Sequence, residues 1–207
     1  MTNVVLLGPP GAGKGTIAAR VAAELDLLHL STGDVLRDEV ARGTELGQLA
    51  QGFMERGELV PDHVMLAMVR ERVNGREGVL LDGFPRTLAQ AEGLARFLPV
   101  HAVVYLAVRK DEVVRRLGSR RVCPSCGAVY NLVTQPPEVP GRCDRCGGGL
   151  IQRADDAPDV VARRYEVYER DSRPLVEHYA RQGKLITVDG ARPPDVVASD
   201  VIEALRP

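Results

Sequence analysis

Near the start of the chain, Gly8-Pro9-Pro10-Gly11-Ala12-Gly13-Lys14-Gly15-Thr16 brings together the ingredients of a phosphate cradle. The apolar run Val4-Val5-Leu6-Leu7 predicts a strand entering this loop, and Ile17, Val21 and Leu25, four residues apart, predict a helix leaving it. That order turns successive backbone N–H groups toward one point, where the helix dipole favours an anion. Gly8, Gly11 and Gly13 let the backbone bend and approach closely, and Lys14 supplies a mobile positive charge for the β- and γ-phosphates. The common pattern has Ser or Thr directly after the lysine. Here Gly15 intervenes, and the hydroxyl available to a magnesium ion belongs to Thr16.

Carboxylates and arginines follow at positions that suit the same chemistry. Val79-Leu80-Leu81-Asp82 sets an acid at the C-terminal end of an apolar strand, a place suited to a magnesium-coordinating aspartate. Asp34, after Ser31-Thr32-Gly33, has two open readings: it orients magnesium-bound water, or it caps a helix. Arg86 ends Gly83-Phe84-Pro85-Arg86, and Arg116, Arg120, Arg153 and Arg164 lie near a cysteine-bearing segment. Phosphoryl transfer between two nucleotides crowds negative charges together, and bidentate guanidinium groups are suited to hold them. Arg109, Arg115 and Arg181 read as surface residues, and His29, His63, His101 and His178 show no ligand or triad spacing.

Every cysteine belongs to one pattern, Cys123-Pro-Ser-Cys126 and Cys143-Asp-Arg-Cys146, which matches the spacing of a four-thiolate zinc site. The segment from Cys123 to Leu150 is rich in proline and glycine and poor in large apolar residues, so a metal would supply folding energy that its core does not. Four thiolates fill a tetrahedral shell and leave no open position, which makes the role structural. The alternatives are disulfides, disfavoured in a reducing compartment, and a nucleic-acid-binding ribbon, for which no basic and aromatic stripe is present.

The elements that must position these groups follow from the apolar pattern. Runs at Val4–Leu7, Leu27–Leu30, Val79–Leu81, Ala102–Ala107 and Leu185–Val188 alternate with helical stretches. This predicts an α/β fold, a five-stranded parallel sheet flanked by helices. Pro193 suits the first position of a last helix that carries Val196, Val197, Val201 and Leu205. An all-helical stretch at about Ser31–Val73 and a stretch at about Val122–Asp156, neither helical nor strand-like, read as insertions able to fold over a ligand at the carboxyl ends of the strands. A length of 207 residues suits one main domain, and a net charge of −1 gives no general attraction to nucleic acid or anionic membrane. No apolar run reaches the length of a membrane span, and the first strand starts too close to Met1 for a signal peptide, so a cytoplasmic enzyme is expected.

Taken together, Gly8–Thr16, Ser31-Thr32-Gly33-Asp34-Val35-Leu36-Arg37, Leu59-Val60-Pro61-Asp62, Asp82–Thr87, the cysteine pairs and Arg153-Ala154-Asp155-Asp156 resemble, in order, the adenylate kinases of the bacterial long-lid type with a zinc-bearing lid. The resemblance implies reversible transfer of the γ-phosphoryl group of MgATP to AMP, giving two ADP. It implies a P-loop core over 1–30, 61–121 and 158–207, an AMP-binding insertion over 31–60 and a zinc-binding lid over 122–157. ATP contacts then fall to Gly11, Ala12, Gly13, Lys14, Gly15, Thr16, Arg120, Val129, Tyr130 and Arg192. AMP contacts fall to Thr32, Arg37, Glu58, Leu59, Val60, Gly83, Phe84, Pro85, Arg86 and Gln90, with Arg153 and Arg164 closing from the lid side. The expected catalytic set is Lys14, Asp34, Asp82, Arg86, Arg116, Arg120, Arg153 and Arg164, with Mg²⁺ accompanying ATP and structural Zn²⁺ on Cys123, Cys126, Cys143 and Cys146. The expected partners are ATP, AMP and ADP, with no nucleic acid and no membrane, and the chain is expected to be a monomer. Two rivals remain: a kinase for UMP, CMP or GMP, and an ATP-sensing module whose ribbon contacts RNA.

Overall fold

A computed structural model describes residues 2–206 of the chain; the expected core boundaries at Met1 and Pro207 lie outside the described residues. The first half runs β1 (Val4–Leu7), α1 (Lys14–Glu24), β2 (Leu28–Ser31), α2 (Thr32–Ala41), α3 (Glu45–Glu55), α4 (Asp62–Val73), β3 (Val79–Asp82), α5 (Leu88–Ala95) and β4 (Ala102–Ala107). There follow α6 (Lys110–Gly118), β5 (Arg120–Val122), β6 (Val129–Asn131), α7 (Pro158–Val167), α8 (Pro174–Arg181), β7 (Leu185–Asp189) and α9 (Pro194–Leu205). A 3-10 turn at Ala154–Asp156 precedes α7, and a π-helical turn at Tyr168–Ser172 joins α7 to α8.

The main sheet has the order β2-β3-β1-β4-β7, and each neighbouring pair is parallel. The five apolar runs of the sequence are its five strands, three of them displaced or extended by one residue. All of β1 is buried, because both faces of a parallel sheet are covered by helices. The two-residue period of a strand splits its side chains: Val5 and Leu7 join the cluster that contains Met65, Leu94 and Leu175, whereas Val4 and Leu6 join Ile17, Val21, Val197 and Val201. Each such fully buried side chain contributes about 1.5–3 kcal/mol of transfer free energy. At the start of the sheet, Asn3 donates to Pro99 O at 2.9 Å, accepts from Val79 N at 3.1 Å and donates its backbone N–H to His101 Nδ1 at 2.9 Å. His101 is thus a structural residue, as its isolation in the sequence indicated.

Two expectations change. The stretch 122–156 contains one strand, β6, and the end of a second, β5, paired antiparallel from Arg120↔Asn131 to Val122↔Val129. Strands of three residues are too short for alternation to show in the sequence. Pro193 is the cap residue of the last helix, and Pro194 takes its first position. Among the described residues no helix is long and apolar enough to cross a membrane.

Candidate active site

The glycine loop leaves β1, the central strand, and ends where α1 begins. Gly13 precedes α1 in the left-handed region at φ +90° and offers no capping side chain, so the first N–H groups of the helix remain available to an anion. At Gly11, φ is +80° and a Cβ would stand 2.8 Å from Leu117 Cγ, so a side chain there would push the loop off α6. Lys14 folds back across the loop and donates from Nζ to Gly8 O at 2.8 Å and Pro9 O at 2.9 Å. Its pKa is lowered to about 8, chiefly by burial; Asp82 opposes the shift, and Arg86, Arg164 and Arg120 add to it.

Asp82 ends β3 beside this helix start, with Oδ2 3.3 Å from where a Cβ on Gly15 would lie. The intervening glycine therefore keeps space beside the carboxylate. The hydroxyl of Thr16 is on the same first turn of α1, and the Asp82 backbone accepts weakly from Thr32 Oγ1 at 3.3 Å. Oxygen donors of this kind suit a hard cation such as Mg²⁺. His29 Nε2 lies 3.9 Å from Asp82 Oδ2 and is buried without a hydrogen-bond partner. Asp34 is not the helix cap: Ser31 is, and its hydroxyl accepts from Asp34 N. Asp34 instead pairs with Arg37; burial raises its pKa, but the Arg37 charge and hydrogen bond, helped by Ser31 and Arg153, hold it below the ordinary range.

A pocket is bordered by Arg37, Glu58, Leu59, Val60, Arg86, Gln90 and Arg164 of the expected AMP set. Four of these come from three stretches far apart in sequence: Arg37 from α2, Arg86 and Gln90 from the turn after β3 and the start of α5, and Arg164 from α7. Thr32 lies just beneath, fully buried, and donates to Gly83 O at 2.9 Å. Arg86 donates from Nε to the same carbonyl at 2.7 Å. Phe84 is wholly buried in the core, so only its backbone is left for a ligand; Gly83, Pro85 and Arg153 do not border the pocket. The peptide between Phe84 and Pro85 is cis.

The cations are crowded. Burial, then the neighbouring Arg164, pushes Arg86 down to about 10, and burial, then Arg37 and Arg120, pushes Arg153 to about 10. All remain protonated at neutral pH, so the cluster is a concentrated positive field suited to a polyanion. Two carboxylates partly balance it, and the sequence reading gave neither a role. Asp156, with a side chain 0% exposed, accepts Arg120 Nε at 2.8 Å and Arg164 Nη1 at 3.4 Å, while Asp155 Oδ2 lies 3.0 Å from Arg164. Their place beside Arg153 was the available signal. Leu36, Met54 and Met65, which also border the pocket, carry none, because apolar residues on helices read as core.

Other expected residues sit apart from the pocket. Arg116 commits Nε to Glu112 at 2.6 Å and its terminal nitrogens to Gly190 O at 2.9 Å, Ala191 O at 3.0 Å and Ala12 O at 3.5 Å. It ties the glycine loop to the turn after β7. Arg192 is exposed and paired with Asp200. Val129 is exposed, and Tyr130 is buried in the cysteine segment, where its hydroxyl accepts Asp144 N at 2.8 Å and lies 3.4 Å from Cys143 Sγ.

The cysteines converge. All four Sγ atoms lie within 4.8 Å of one another, with Cys123–Cys146 at 3.4 Å and Cys126–Cys143 at 3.5 Å. A tetrahedral zinc with bonds of about 2.3 Å needs sulfurs about 3.8 Å apart, so the group fits. All four thiols are free. Matching turns bring each pair in, with Gly127 N donating to Cys123 O and Gly147 N to Cys143 O.

The adenylate kinase family matches residues 6–184 of this chain. The chain is 46% identical over 209 residues to the adenylate kinase of Petrotoga mobilis, covering 99% of this chain and 97% of that protein. It is 48% identical over 198 residues to that of Archaeoglobus fulgidus, covering 92% and 91%, and 45% identical over 212 residues to that of Thermosipho africanus, covering 99% of each. A glycine-rich loop between β1 and α1, an arginine-lined pocket, a five-stranded parallel sheet and likeness along almost the whole length lead to one assignment: the chain belongs to the adenylate kinase family.

Proposed function

We propose that the pocket bordered by Arg37, Arg86, Gln90 and Arg164 holds AMP, and that the loop from Gly11 to Thr16 holds the phosphates of ATP. As an adenylate kinase the enzyme transfers the terminal phosphoryl group of ATP reversibly to AMP, giving two ADP. An oxygen of the AMP phosphate attacks the γ-phosphorus, and the bond from that phosphorus to the oxygen it shares with the β-phosphate breaks. The attacking oxygen is anionic at neutral pH, so no general base is required. Catalysis then rests on in-line positioning and on positive charge spread over the transferring group, the task of Lys14, Arg86, Arg120, Arg153 and Arg164. Mg²⁺ arrives with ATP, Thr16 and Asp82 would hold it with Asp34 orienting its water, and its charge offsets that of the phosphate oxygens.

In this reading 31–60 is the AMP-binding arm and 122–157 the lid, both able to exclude water as the competing acceptor. Gly57, at φ +69°, supports close approach of the arm: a Cβ there would stand 2.9 Å from Arg164 Cγ and 3.1 Å from Val160 O. Val129, Tyr130, Arg116 and Arg192 belong to the ATP side, where Arg116 acts by holding the loop. Zn²⁺ on the four cysteines keeps the lid folded. The enzyme is a cytoplasmic monomer that binds neither nucleic acid nor membrane.

The observation that carries the reading is that Arg86 and Arg164, which border the pocket together with Arg37, are also the charges that act on the loop lysine Lys14. The test is ADP formation from MgATP with AMP, UMP, CMP and GMP in parallel, with a magnesium-free control. Magnesium-dependent transfer to AMP is expected. Preference for another nucleotide would overturn the assignment of the base, and RNA retention without transfer would favour the binding-module alternative.

A further inference from the structure

Gln90 is 1% exposed yet borders the pocket, and each partner of its amide can act in only one direction, one as donor and one as acceptor. Its Oε1 accepts from the backbone N–H of Arg86 at 2.7 Å, and its Nε2 donates to Asp62 Oδ1 at 2.7 Å. The other Asp62 oxygen accepts from Thr87 Oγ1 at 3.1 Å, and that hydroxyl in turn accepts the Gln90 backbone N–H at 3.1 Å. Turning the amide over would set a carbonyl oxygen against a carboxylate and an NH₂ against an N–H. The Asp62 bond is charge-assisted and is the stronger constraint of the two.

We propose that Asp62 is a specificity-determining positioning residue, which fixes the direction of the Gln90 amide so that the pocket accepts adenine and rejects 6-oxopurines. The inference rests on the AMP-pocket reading above. Pinned in this way, Gln90 keeps one lone pair on Oε1 and one N–H on Nε2. Adenine presents an amino donor beside a ring-nitrogen acceptor and matches that order. Hypoxanthine and guanine present a carbonyl acceptor beside an N–H donor, so each of their groups would meet its own kind, and a buried polar mismatch discriminates strongly. Asp62 also opens α4 as the acid of its first turn, a role in which it acts on the stability of that helix and not on the choice of base.

The test is the ratio of kcat/KM for AMP to kcat/KM for IMP, two substrates that differ only at this edge of the base. A general loss of packing lowers both values and cancels in the ratio. In Asp62→Ala, a water that both donates and accepts takes the place of the carboxylate, and the ratio is expected to fall at least about fivefold toward that of Gln90→Leu. A ratio that collapses in Gln90→Leu and holds in Asp62→Ala would overturn the role of Asp62 while leaving the pocket reading intact. A ratio unchanged in both variants would overturn the pocket reading and the proposal with it. If the alanine variant does not fold, Asp62→Asn, whose amide faces Gln90 with either end, is judged by the same outcomes.

Discussion

Lys14 shows how a single group couples charge to binding. Its folded-state pKa, lowered to about 8 from 10.5, lies below that of the unfolded chain. Between these two values the folded protein has released a proton that the unfolded chain keeps. The contribution of this group to stability is therefore highest above pH 10.5, falls as pH drops through that window, and stays at its lowest below pH 8. Phosphates beside the ammonium favour its charged form. Binding of ATP at about pH 8.5 should therefore take up protons, since the nucleotide phosphates are already ionised there. Calorimetry in buffers of different ionisation enthalpy measures this uptake. It is expected to disappear in Lys14→Arg, whose guanidinium stays charged, and equal uptake in both proteins would refute the assignment to Lys14.

In the proposed reading the cysteine segment is the element that gains most from a bound metal. Its own cluster of buried side chains is only Cys123, Ala128, Tyr130 and Cys143, with Leu150 packed against it. Chelation, or Cys143→Ser, should lower the melting temperature and increase proteolysis within 122–157 while the main sheet stays intact. Metal analysis of the purified protein gives the companion result. Absence of bound zinc together with an unchanged melt would sink the structural-metal reading. What the sequence revealed about this element follows from physical range. Cysteine spacing is local, so the convergence of the four sulfurs could be read from the chain. The pairing of Val122 with Val129 could not, because strands of three residues leave no periodic trace. The same holds at the site: the phosphate loop, Asp82 and Arg86 stood within short motifs. The capping of α2 by Ser31 in place of Asp34, the engagement of Arg116 with backbone carbonyls and the joining of Arg120 and Arg164 by Asp156 depend on the folded geometry.

At the scale of the molecule, Asp156 connects parts that the chain keeps far apart. Its carboxylate meets Arg120 on β5 and Arg164 on α7, so it links the root of the cysteine segment to a helix of the core. Removing one partner of a buried ion pair leaves charge uncompensated at a cost of about 3–5 kcal/mol. Asp156→Ala should therefore lower stability by an amount of that order in denaturant titration and raise KM for nucleotides as Arg120 and Arg164 lose their shared anchor. A stability within about 0.5 kcal/mol of the parent would show that the linkage is dispensable.

The two ends of the cysteine segment meet at a pair of reciprocal hydrogen bonds, Val122 N to Ile151 O at 2.8 Å and Ile151 N to Val122 O at 2.9 Å. The rest of the chain therefore meets this segment at a closed doorway, with Asn131 Nδ2 donating to Arg116 O and Leu132 N to Ser119 O as further ties. Loop closure changes slowly with length when the ends are already held together. The fold is thus modular at this point: a change in length between the two paired ends costs little in loop closure and leaves the register of the main sheet as it is.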